Sequence, residues 1–276
     1  MGFRINTNVA SISAQRNVGQ TSKAQESSLA KLSSGTRITK AADDAAGMAI
    51  SEKFKAEIRS ARQADRNAND GISMVQVAEG GLNETQNILT RLRELAVQSA
   101  SDTVSDTERG FTNMEYQNLL QEMDRVSKSV EFNGKKLLDG SSEKHDFQIG
   151  TKGDENSVIS FEGSQVNAST GELGVEGLSV GSKEDAQSSL ANVDAAIEKV
   201  SGQRAFLGAL QNRLTSASNT LQVSVENMSA ANSRIRDVDY AEETAKQATN
   251  SILQAAGTSV LSQANVSGSN ALKLIG

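Results

Sequence analysis

The segment VDYAEETAKQATNSILQAAGTS (238–259) decides the fold, because its small and apolar residues recur at alternating gaps of three and four. This spacing is typical of a helix that packs along another helix, and alanine at the contact positions allows a close approach. A similar seam begins near the other end of the chain, in residues 4–17. We therefore predict that the terminal helices pair with each other or with copies of themselves. The predicted seam residues are Ile5, Val9, Ile12, Leu29, Leu32, Val238, Ala241, Ala245, Ala248, Ile252 and Ala255.

The composition favours long helices over a large globular core. Of the 276 residues, 37% are hydrophobic, only 3% are aromatic and none is proline. Without proline, no helix is forced to kink or end at that residue. The mean hydropathy is −0.42, and no apolar run approaches the ~20 residues that a membrane-spanning helix needs. We expect no insertion into a membrane.

The charge distribution argues against a nucleic-acid partner. The net charge is −6, yet residues 1–40 contain six basic side chains and one acidic one, which leaves the middle of the chain strongly acidic. The basic end has neither clustered basic residues nor interleaved aromatic ones, and the acidic middle would repel phosphate. There is no cysteine, so no disulfide can form. The first residues lack the apolar stretch of a secretory signal.

Four helical regions follow from apolar periodicity and from start and stop signals. Asp43 and Asp44 are placed to cap the second region. Gly80 and Gly81 lie inside the second region and indicate either a break or a packed helix face. After them an apolar seam with gaps of three and four is predicted, formed by Leu82, Thr85, Leu89, Leu92, Ala96 and Ser99. The last region has apolar residues at gaps of 3, 4 and 7, and such a helix would span roughly 60 Å or more. The predicted helical regions are 3–34, 48–101, 106–130 and 182–233.

The third helical region and the segment after it carry more specific patterns. Ser105 and the acidic first turn suit a helix N-terminus. Residues 145–150 and 157–163 alternate as strands do, and the loop between them has hairpin length. We therefore predict one β-hairpin within residues 144–180. The predicted apolar face of the third region consists of Phe111, Met114, Leu119, Met123 and Val126.

The sequence contains no recognisable catalytic, cofactor or metal site. His145 is the only histidine, which excludes histidine-based zinc sites and most catalytic triads. The acidic pairs Asp43-Asp44 and Glu242-Glu243 are adjacent in sequence, and adjacent side chains do not face each other on a helix. No glycine-rich phosphate loop is present. We expect no enzymatic activity and no cofactor.

These patterns predict a mainly α fold: a bundle of long, rod-like or coiled-coil helices with paired N- and C-terminal helices and a small β-hairpin region. Residues 1–44 and 235–276 would form a discontinuous inner helical domain. Residues 45–140 and 182–234 would form a rod-like helical domain, and residues 141–181 would be its hairpin and irregular part.

Several blocks of the sequence closely resemble bacterial flagellins. Together with the long helix after residue 182, they cover most of the chain in the order found in that family. The blocks are RINTNVASISAQRN (4–17), LAKLSSGTRITKAADDAAGMAIS (29–51), RNANDGISMVQVAEGGLNE (66–84), LTRLRELAVQSA (89–100), DRVSKSVEFNGKKLLDG (124–140), SRIRDVDYAEETA (233–245) and ILQAAGTSVLSQAN (252–265).

The resemblance implies a structural, extracellular role. Flagellins are exported unfolded through the flagellar type III channel and polymerise at the distal tip into a helical filament that acts as a propeller. Their terminal helices order on assembly. The implied partners are copies of the same chain, the export apparatus and chaperone, and the hook-associated and cap proteins. Many flagellins carry large outer domains, and the short middle of this chain indicates a minimal form.

The resemblance also suggests roles for individual residues. Arg91, Leu95 and Glu115 match positions on the family's axial contact face, which an innate immune receptor recognises in many flagellins. The C-terminal helix, about residues 252–272, matches the region bound by the export chaperone. The final residues ALKLIG (271–276) depart from the usual ending.

Three other interpretations remain open from the sequence alone. A hook–filament junction protein shares the terminal helices, although such proteins usually lack the intact blocks around residues 67–73 and 93–98. A flagellin with a catalytic insertion is disfavoured by the short middle and the single histidine. A soluble coiled-coil binding module would form discrete oligomers and would not elongate.

Overall fold

The computed structural model describes residues 7–141 and 144–273, with side chains up to Val266. These residues form two compact units. Unit 1 contains the described residues up to Ala56 and those from Asn227 onward, and unit 2 contains Glu57–Glu226. The division falls within two long helices. The domain boundaries predicted from the sequence lie instead at residues 44/45 and 234/235, where helices begin or end, and they stay a prediction.

Unit 1 contains a long helix from each end of the chain. Helix α1 (Val9–Ser34) begins at Asn8, whose side chain accepts a hydrogen bond from the Ser11 amide, and it ends at Gly35, which has a φ of 68°. A left-handed glycine in this position is a common helix stop. Helix α6 (Tyr240–Lys273) is the C-terminal helix. The predicted stop after residue 34 is confirmed.

Helices α1 and α6 pack side by side in antiparallel orientation. The Asn8 side chain donates to the Ala264 carbonyl at 2.8 Å, and the Tyr240 hydroxyl donates to the Leu32 carbonyl at 3.1 Å. A methyl group added to Gly257 would lie 2.9 Å from a Val18 methyl carbon, so the two backbones approach closely. The predicted pairing of the terminal helices is therefore confirmed.

Backbone hydrogen bonds join the segment that follows α1 to the segment that precedes α6. The Arg37 amide donates to the Arg236 carbonyl at 2.6 Å, and the Val238 amide donates to the Gly35 carbonyl at 3.1 Å. Asp43 accepts hydrogen bonds from the amides of Thr39 and Lys40, which shape the connector. Asp44 caps the next helix by accepting from the Gly47 amide at 2.8 Å.

Helix α2 (Ala45–Ser99) is continuous through the glycine pair Gly80-Gly81 and through Gly71. A side chain at Gly81 would collide with Leu138 and Val130, at 2.6 and 2.7 Å, whereas Gly80 faces open space. The sequence left open whether these glycines break the helix or pack it. Gly81 marks a packed face, because only glycine lets Leu138 lie against the helix there.

Unit 2 has an aliphatic core along α2 and α5 (Lys183–Arg236). The predicted apolar seam of α2 is buried throughout, and the middle of α5 packs against it. Glu79 and Arg204 pair across the two helices, at 3.9 Å. The main buried side chains of these helices are Leu82, Thr85, Leu89, Leu92, Leu95, Ala96, Ser99, Val193, Val200, Leu207, Leu210 and Leu214.

Helix α3 (Asp106–Ser129) begins after Ser105 with an acidic first turn, as predicted, and Ser105 and Glu108 form a capping box there. Its predicted apolar face is partly wrong. Met123 and Val126 are buried, but Phe111 and Met114 are 62% and 57% exposed. The buried face contains instead Arg109, Thr112, Tyr116, Leu120, Met123, Val126 and Ser127.

Two small antiparallel pairs follow α3. Strands β1 (Glu131–Phe132) and β2 (Lys135–Lys136) flank a turn in which Asn133 and Gly134 both have positive φ. Strands β3 (Lys144–Gln148) and β4 (Val158–Glu162) form the predicted hairpin, with Phe147 opposite Ile159. A single-turn helix, α4 (Thr170–Leu173), precedes α5.

Candidate functional site

The predicted seam of α6 is exposed in the single chain. Ile252 is 70% exposed, and Leu253 and Val260 beside the seam are 52% and 60% exposed. On α1, Val9, Ile12 and Leu29 are also exposed, while Leu32 is half-buried. The exposed α6 seam consists of Ala241, Ala245, Ala248, Ile252, Ala255 and Ser259.

The contact between α1 and α6 uses a different and largely polar face. Ser28 of α1 and Glu243 of α6 are buried there, at 5% and 6% exposure. The Gln25 side chain donates to the Ser251 hydroxyl at 3.3 Å, at the edge of this contact. The α6 residues on this face are Glu243, Gln247, Asn250, Gln254, Gly257, Leu261 and Ala264, and those of α1 are Ser11, Ala14, Val18, Thr21, Gln25, Ser28 and Leu32.

Both faces of α6 repeat with gaps of three and four, and they differ by two positions. Two residues turn a helix by about 200°, so the apolar seam lies nearly opposite the polar one. In the single chain the predicted seam of α6 therefore does not form the contact with α1, and its role in packing against copies of the chain stays a prediction. The periodicity was the same for both faces, and hydrophobicity singled out the face that points outward.

Two seam residues lie elsewhere. Val238 precedes α6 and belongs to the connector, where its amide bonds Gly35. Ile5 lies outside the described residues. The exposed side chains Val9 and Leu29 of α1 point in nearly opposite directions, because 20 residues at 100° each place them about 200° apart around the helix. The name outer seam is therefore given to the exposed α6 face alone, which consists of Ala241, Ala245, Ala248, Ile252, Ala255 and Ser259.

In unit 2, the three residues suggested as an axial or receptor face do not lie on one surface. Arg91 and Glu115 are about half-exposed and form an ion pair at 2.8 Å. This hydrogen bond to Glu115, with a second one to Glu94, raises the pKa of Arg91. Leu95 is only 2% exposed and belongs to the core. The single chain thus offers Arg91 and Glu115, but not Leu95, to a partner.

The described residues show little that resembles a ligand site. They contain no cluster of three or more histidine, cysteine or acidic side chains placed to hold a metal ion. His145 stacks on Phe161 in the β3–β4 hairpin, with ring centres 6.1 Å apart. Over the same described residues, no helix combines the length and apolar character needed to cross a membrane.

Family models and relatives agree with these features. Residues 5–143 match the bacterial flagellin N-terminal helical region, and residues 190–275 match the bacterial flagellin C-terminal helical region. A flagellin of Halalkalibacterium halodurans is 40% identical over 271 residues, which cover 98% of this chain and 99% of the relative. This chain belongs to the bacterial flagellin family.

Other relatives are named flagellin or flagellar filament core protein. A flagellin of Bacillus subtilis is 39% identical over 303 residues, covering 99% of this chain and all of that protein. The flagellar filament 33 kDa core protein of Treponema phagedenis is 39% identical over 284 residues, covering 98% and 99% of the two chains. The chain is thus a structural subunit of the extracellular flagellar filament. Nothing among these relatives supports a hook–filament junction protein.

Solved structures agree on the fold. Bacillus cereus flagellin is 27% identical with a TM-score of 0.51, over 60% of this chain and 94% of that one. A Vibrio parahaemolyticus protein assigned as flagellar hook-associated has a TM-score of 0.59 at 12% identity, over 71% of this chain and all of that one. At that identity the likeness shows the fold alone, so sequence and not fold separates flagellin from its hook-associated relatives.

Proposed function

We propose that the outer seam is the surface through which copies of this chain polymerise into the helical filament. The observation that carries the proposal is the arrangement of α6, whose polar face holds α1 while its apolar heptad face is exposed. An exposed apolar stripe of this kind typically marks an interaction site. Small residues in the stripe allow neighbouring helices to approach closely.

The energetics of the helix pair support this proposal. Hydrogen bonds across a polar contact contribute only about 0.5–1.5 kcal/mol each, net of competition with water. Ordering each residue of a helix costs roughly 1–2 kcal/mol of conformational entropy. A pair whose apolar residues point outward is therefore weakly stable by itself, and burial of the outer seam by neighbouring copies supplies the missing stabilisation.

The test is seeded polymerisation with two matched variants of α6. Ile252→Asp places a carboxylate on the outer seam, and Thr258→Asp places one six residues away on an exposed flank of the same helix. We expect Ile252→Asp to block elongation and Thr258→Asp to permit it, as followed by light scattering and electron microscopy. Equal effects of the two substitutions would count against the outer seam as the contact.

The other partners are proposed from family membership. We propose export in an unfolded state through the flagellar type III pathway, with the chaperone binding the C-terminal helix at about residues 252–272. The chaperone would cover part of the outer seam and so prevent premature assembly. A pull-down with the cognate chaperone tests this proposal, because Ile252→Asp should weaken capture more than Thr258→Asp does.

Contacts with hook-associated and cap proteins are proposed at the two ends of the filament. Recognition by an innate immune receptor is proposed for the Arg91–Glu115 surface. Arg91→Ala should reduce receptor signalling by monomers, and Arg59→Ala, at an exposed arginine of unit 2 that lies 32 residues earlier on α2, serves as the control. We further propose that the chain has no enzymatic activity, and detection of hydrolysis by purified filaments would contradict this.

A further inference from the structure

The β1–β2 hairpin of unit 2 ends in an exposed Asn-Gly pair. Asn133 and Gly134 are the only asparagine and glycine that follow each other in this order in the 276 residues. Both are exposed, and a methyl group added to Gly134 would have no atom from beyond the adjacent residues within 4 Å. We call this pair the Asn-Gly turn. Because it lies in open space, its central peptide group can rotate without a clash.

The turn holds Asn133 in an unusual backbone conformation. The φ of Asn133 is 50° and that of Gly134 is 75°, which is the pattern of a type I′ turn. Among the described residues, Asn133 is the one non-glycine residue with a positive φ. A type II′ turn also joins the strands of a two-residue hairpin, and it also has a positive φ at its first central residue. The two turns differ chiefly in the orientation of the central peptide group.

Rotation of this peptide group would bring the Gly134 nitrogen toward the Asn133 side chain. In a type II′ turn the ψ of the first central residue is about −120°, which places the next nitrogen on the same side of the Cα–C bond as Cβ. Glycine accepts either sign of φ, so Gly134 permits the rotation. The Gly134 nitrogen and the Asn133 Cγ can then close a five-membered ring.

No hydrogen bond within the described part of the chain opposes this rotation. The strand pairing ends at Phe132 and Lys135, so the Gly134 amide lies outside the ladder. Neither this amide nor the Asn133 carboxamide forms a hydrogen bond with another described residue. The nitrogen that would attack and the side chain that would receive it are therefore both available.

Buried residues beyond the turn hold its ends in place. Leu137 is fully buried, and its amide donates to the Val130 carbonyl at 3.1 Å. Leu138 is also fully buried, and its carbonyl accepts from the Ala168 amide at 2.8 Å. Motion is therefore confined to the turn, and the two reacting atoms stay close to each other, which lowers the entropic cost of their reaction.

The charges next to the turn favour loss of the amide proton. Lys135 and Lys136 follow Gly134 directly and are exposed. The Lys135 Nζ lies 3.5 Å from the His145 Nδ1, and the Lys136 Nζ lies 3.9 Å from a carboxylate oxygen of Asp139. Nearby cations favour the charged form of a group that becomes an anion. They therefore favour the deprotonated nitrogen, by a modest amount because the site is exposed to solvent and salt.

We propose that Asn133 is a site of spontaneous covalent modification by the Gly134 nitrogen. The Gly134 amide loses its proton to a solvent base, and its nitrogen forms a bond to the Asn133 Cγ. The bond from Cγ to the carboxamide nitrogen breaks, and this nitrogen takes up a proton and leaves as ammonia. Water then opens the cyclic succinimide, so that the net reaction exchanges ammonia for water without any change of oxidation state. The reaction needs one chain only and does not depend on polymerisation.

The two products of ring opening affect the hairpin differently. Opening at the Cγ carbonyl gives aspartate, and Asp-Gly suits a type I′ turn as Asn-Gly does. This product adds a negative charge and keeps the strand pairing. Opening at the main-chain carbonyl gives isoaspartate, which adds a methylene group to the main chain and disturbs the pairing of Phe132 with Lys135.

Peptide mapping by mass spectrometry of the folded monomer tests the proposal. Asn156 provides a control in the same chain, because it is exposed but the amide of the next residue, Ser157, donates to the Asp154 carbonyl at 3.0 Å. In mildly alkaline buffer, Asn133 should undergo the mass change of an amide-to-acid conversion at least about tenfold faster than Asn156. Enzymatic methylation specific for isoaspartate should label the peptide that contains residue 133.

A second comparison isolates the contribution of the turn. Guanidinium chloride unfolds the hairpin but leaves Asn133 and Gly134 adjacent, so the folded chain should react at least as fast as the unfolded one. Asn133→Gln should nearly abolish the reaction at this position, because its side chain would have to close a larger ring. An unmodified Asn133 in the folded chain, a faster reaction in the unfolded chain, or an unchanged rate in Asn133→Gln overturns the proposal.

Discussion

Units 1 and 2 are built from helices of the same kind, yet they bury opposite surfaces. In unit 2, leucine, isoleucine and valine of α2 and α5 face each other, and Leu92 and Leu207 are fully buried. In unit 1, serine, threonine and glutamine lie between α1 and α6, and Ile252 points outward at 70% exposure. Unit 2 therefore resembles a domain that folds alone, whereas unit 1 resembles half of an interface.

Truncation of either terminal helix should have the largest effect and directly tests the difference between the two units. Deleting residues 1–40 or 240–276 removes one helix of the pair in unit 1. We expect complete loss of filaments in seeded assays, because the outer seam is lost or unsupported. The thermal unfolding midpoint of unit 2, measured by circular dichroism, should change little. Filaments of normal appearance from either truncation would contradict the assigned role of unit 1.

A pair of alanine substitutions compares the two units within the monomer. Leu92→Ala leaves a cavity in the core of unit 2 and should lower the free energy of unfolding by about 2–5 kcal/mol. Ile252→Ala removes an exposed side chain and should lower it by less than about 0.5 kcal/mol. Urea unfolding of both monomers measures the difference. Similar losses would show that Ile252 is buried in the monomer.

Arg109 provides a test of polar packing in unit 2. Its guanidinium is nearly buried and donates to the carbonyls of Ser99 and Ser101, both at 2.9 Å, where α2 ends. Arg109→Met keeps the apolar stem but removes the guanidinium donor from the Ser99 carbonyl and leaves the Ser101 carbonyl with only the Val104 amide, at 3.4 Å. We expect a cost of about 1–3 kcal/mol. Urea unfolding measures this loss in the free energy of unfolding, and Arg125→Met serves as a control at an exposed arginine. Equal effects would assign the loss to charge alone.

The smallest expected effect concerns the connector in unit 1. Hydrogen bonds from the Lys40 amide, the Thr39 hydroxyl and the Thr39 amide lower the pKa of Asp43. A carboxyl with a lowered pKa stabilises the folded connector above its unfolded pKa of about 3.9, and the contribution is lost as pH falls through the folded value. We expect Asp43→Asn to abolish this acid dependence.

An NMR titration measures that effect through the Thr39 and Lys40 amide signals. In the natural chain, both signals should shift as the pH falls below about 4. In Asp43→Asn they should be insensitive to pH over the same range. Identical titrations of the two chains would mean that another group controls the connector.

The sequence predicted unit 2 more accurately than unit 1, for a physical reason. Burial of a leucine side chain is strongly favourable in free energy, and regularly spaced leucines also reveal the helical period. Leu82, Leu89 and Leu92 therefore indicated where the core of unit 2 lies. In α6, the polar and apolar faces share one period. Spacing alone therefore could not tell which face meets α1, and hydrophobicity marked the face that stays exposed in the single chain. Nothing in the spacing of apolar residues indicated that Glu243 would be buried.

Two further differences have similar causes. Phe111 and Met114 were assigned to the buried face because they are apolar, but Tyr116 and Leu120 set the rotation of α3. Leu95 was placed on a contact surface by family resemblance, although its position between Leu92 and Ser99 continues the buried seam. At each of these positions, the packing of neighbouring residues on the same helix determines whether the side chain is buried or exposed.

The two-position offset between the faces of α6 restricts how the length of this helix can change. Removing seven residues keeps every remaining position on its own face, because both faces repeat every seven residues. Removing two residues would instead bring apolar positions onto α1 and expose the polar ones. Insertions and deletions in the terminal helices should therefore be tolerated in steps of seven residues, with matching steps in α1 and α6, and rejected at other lengths.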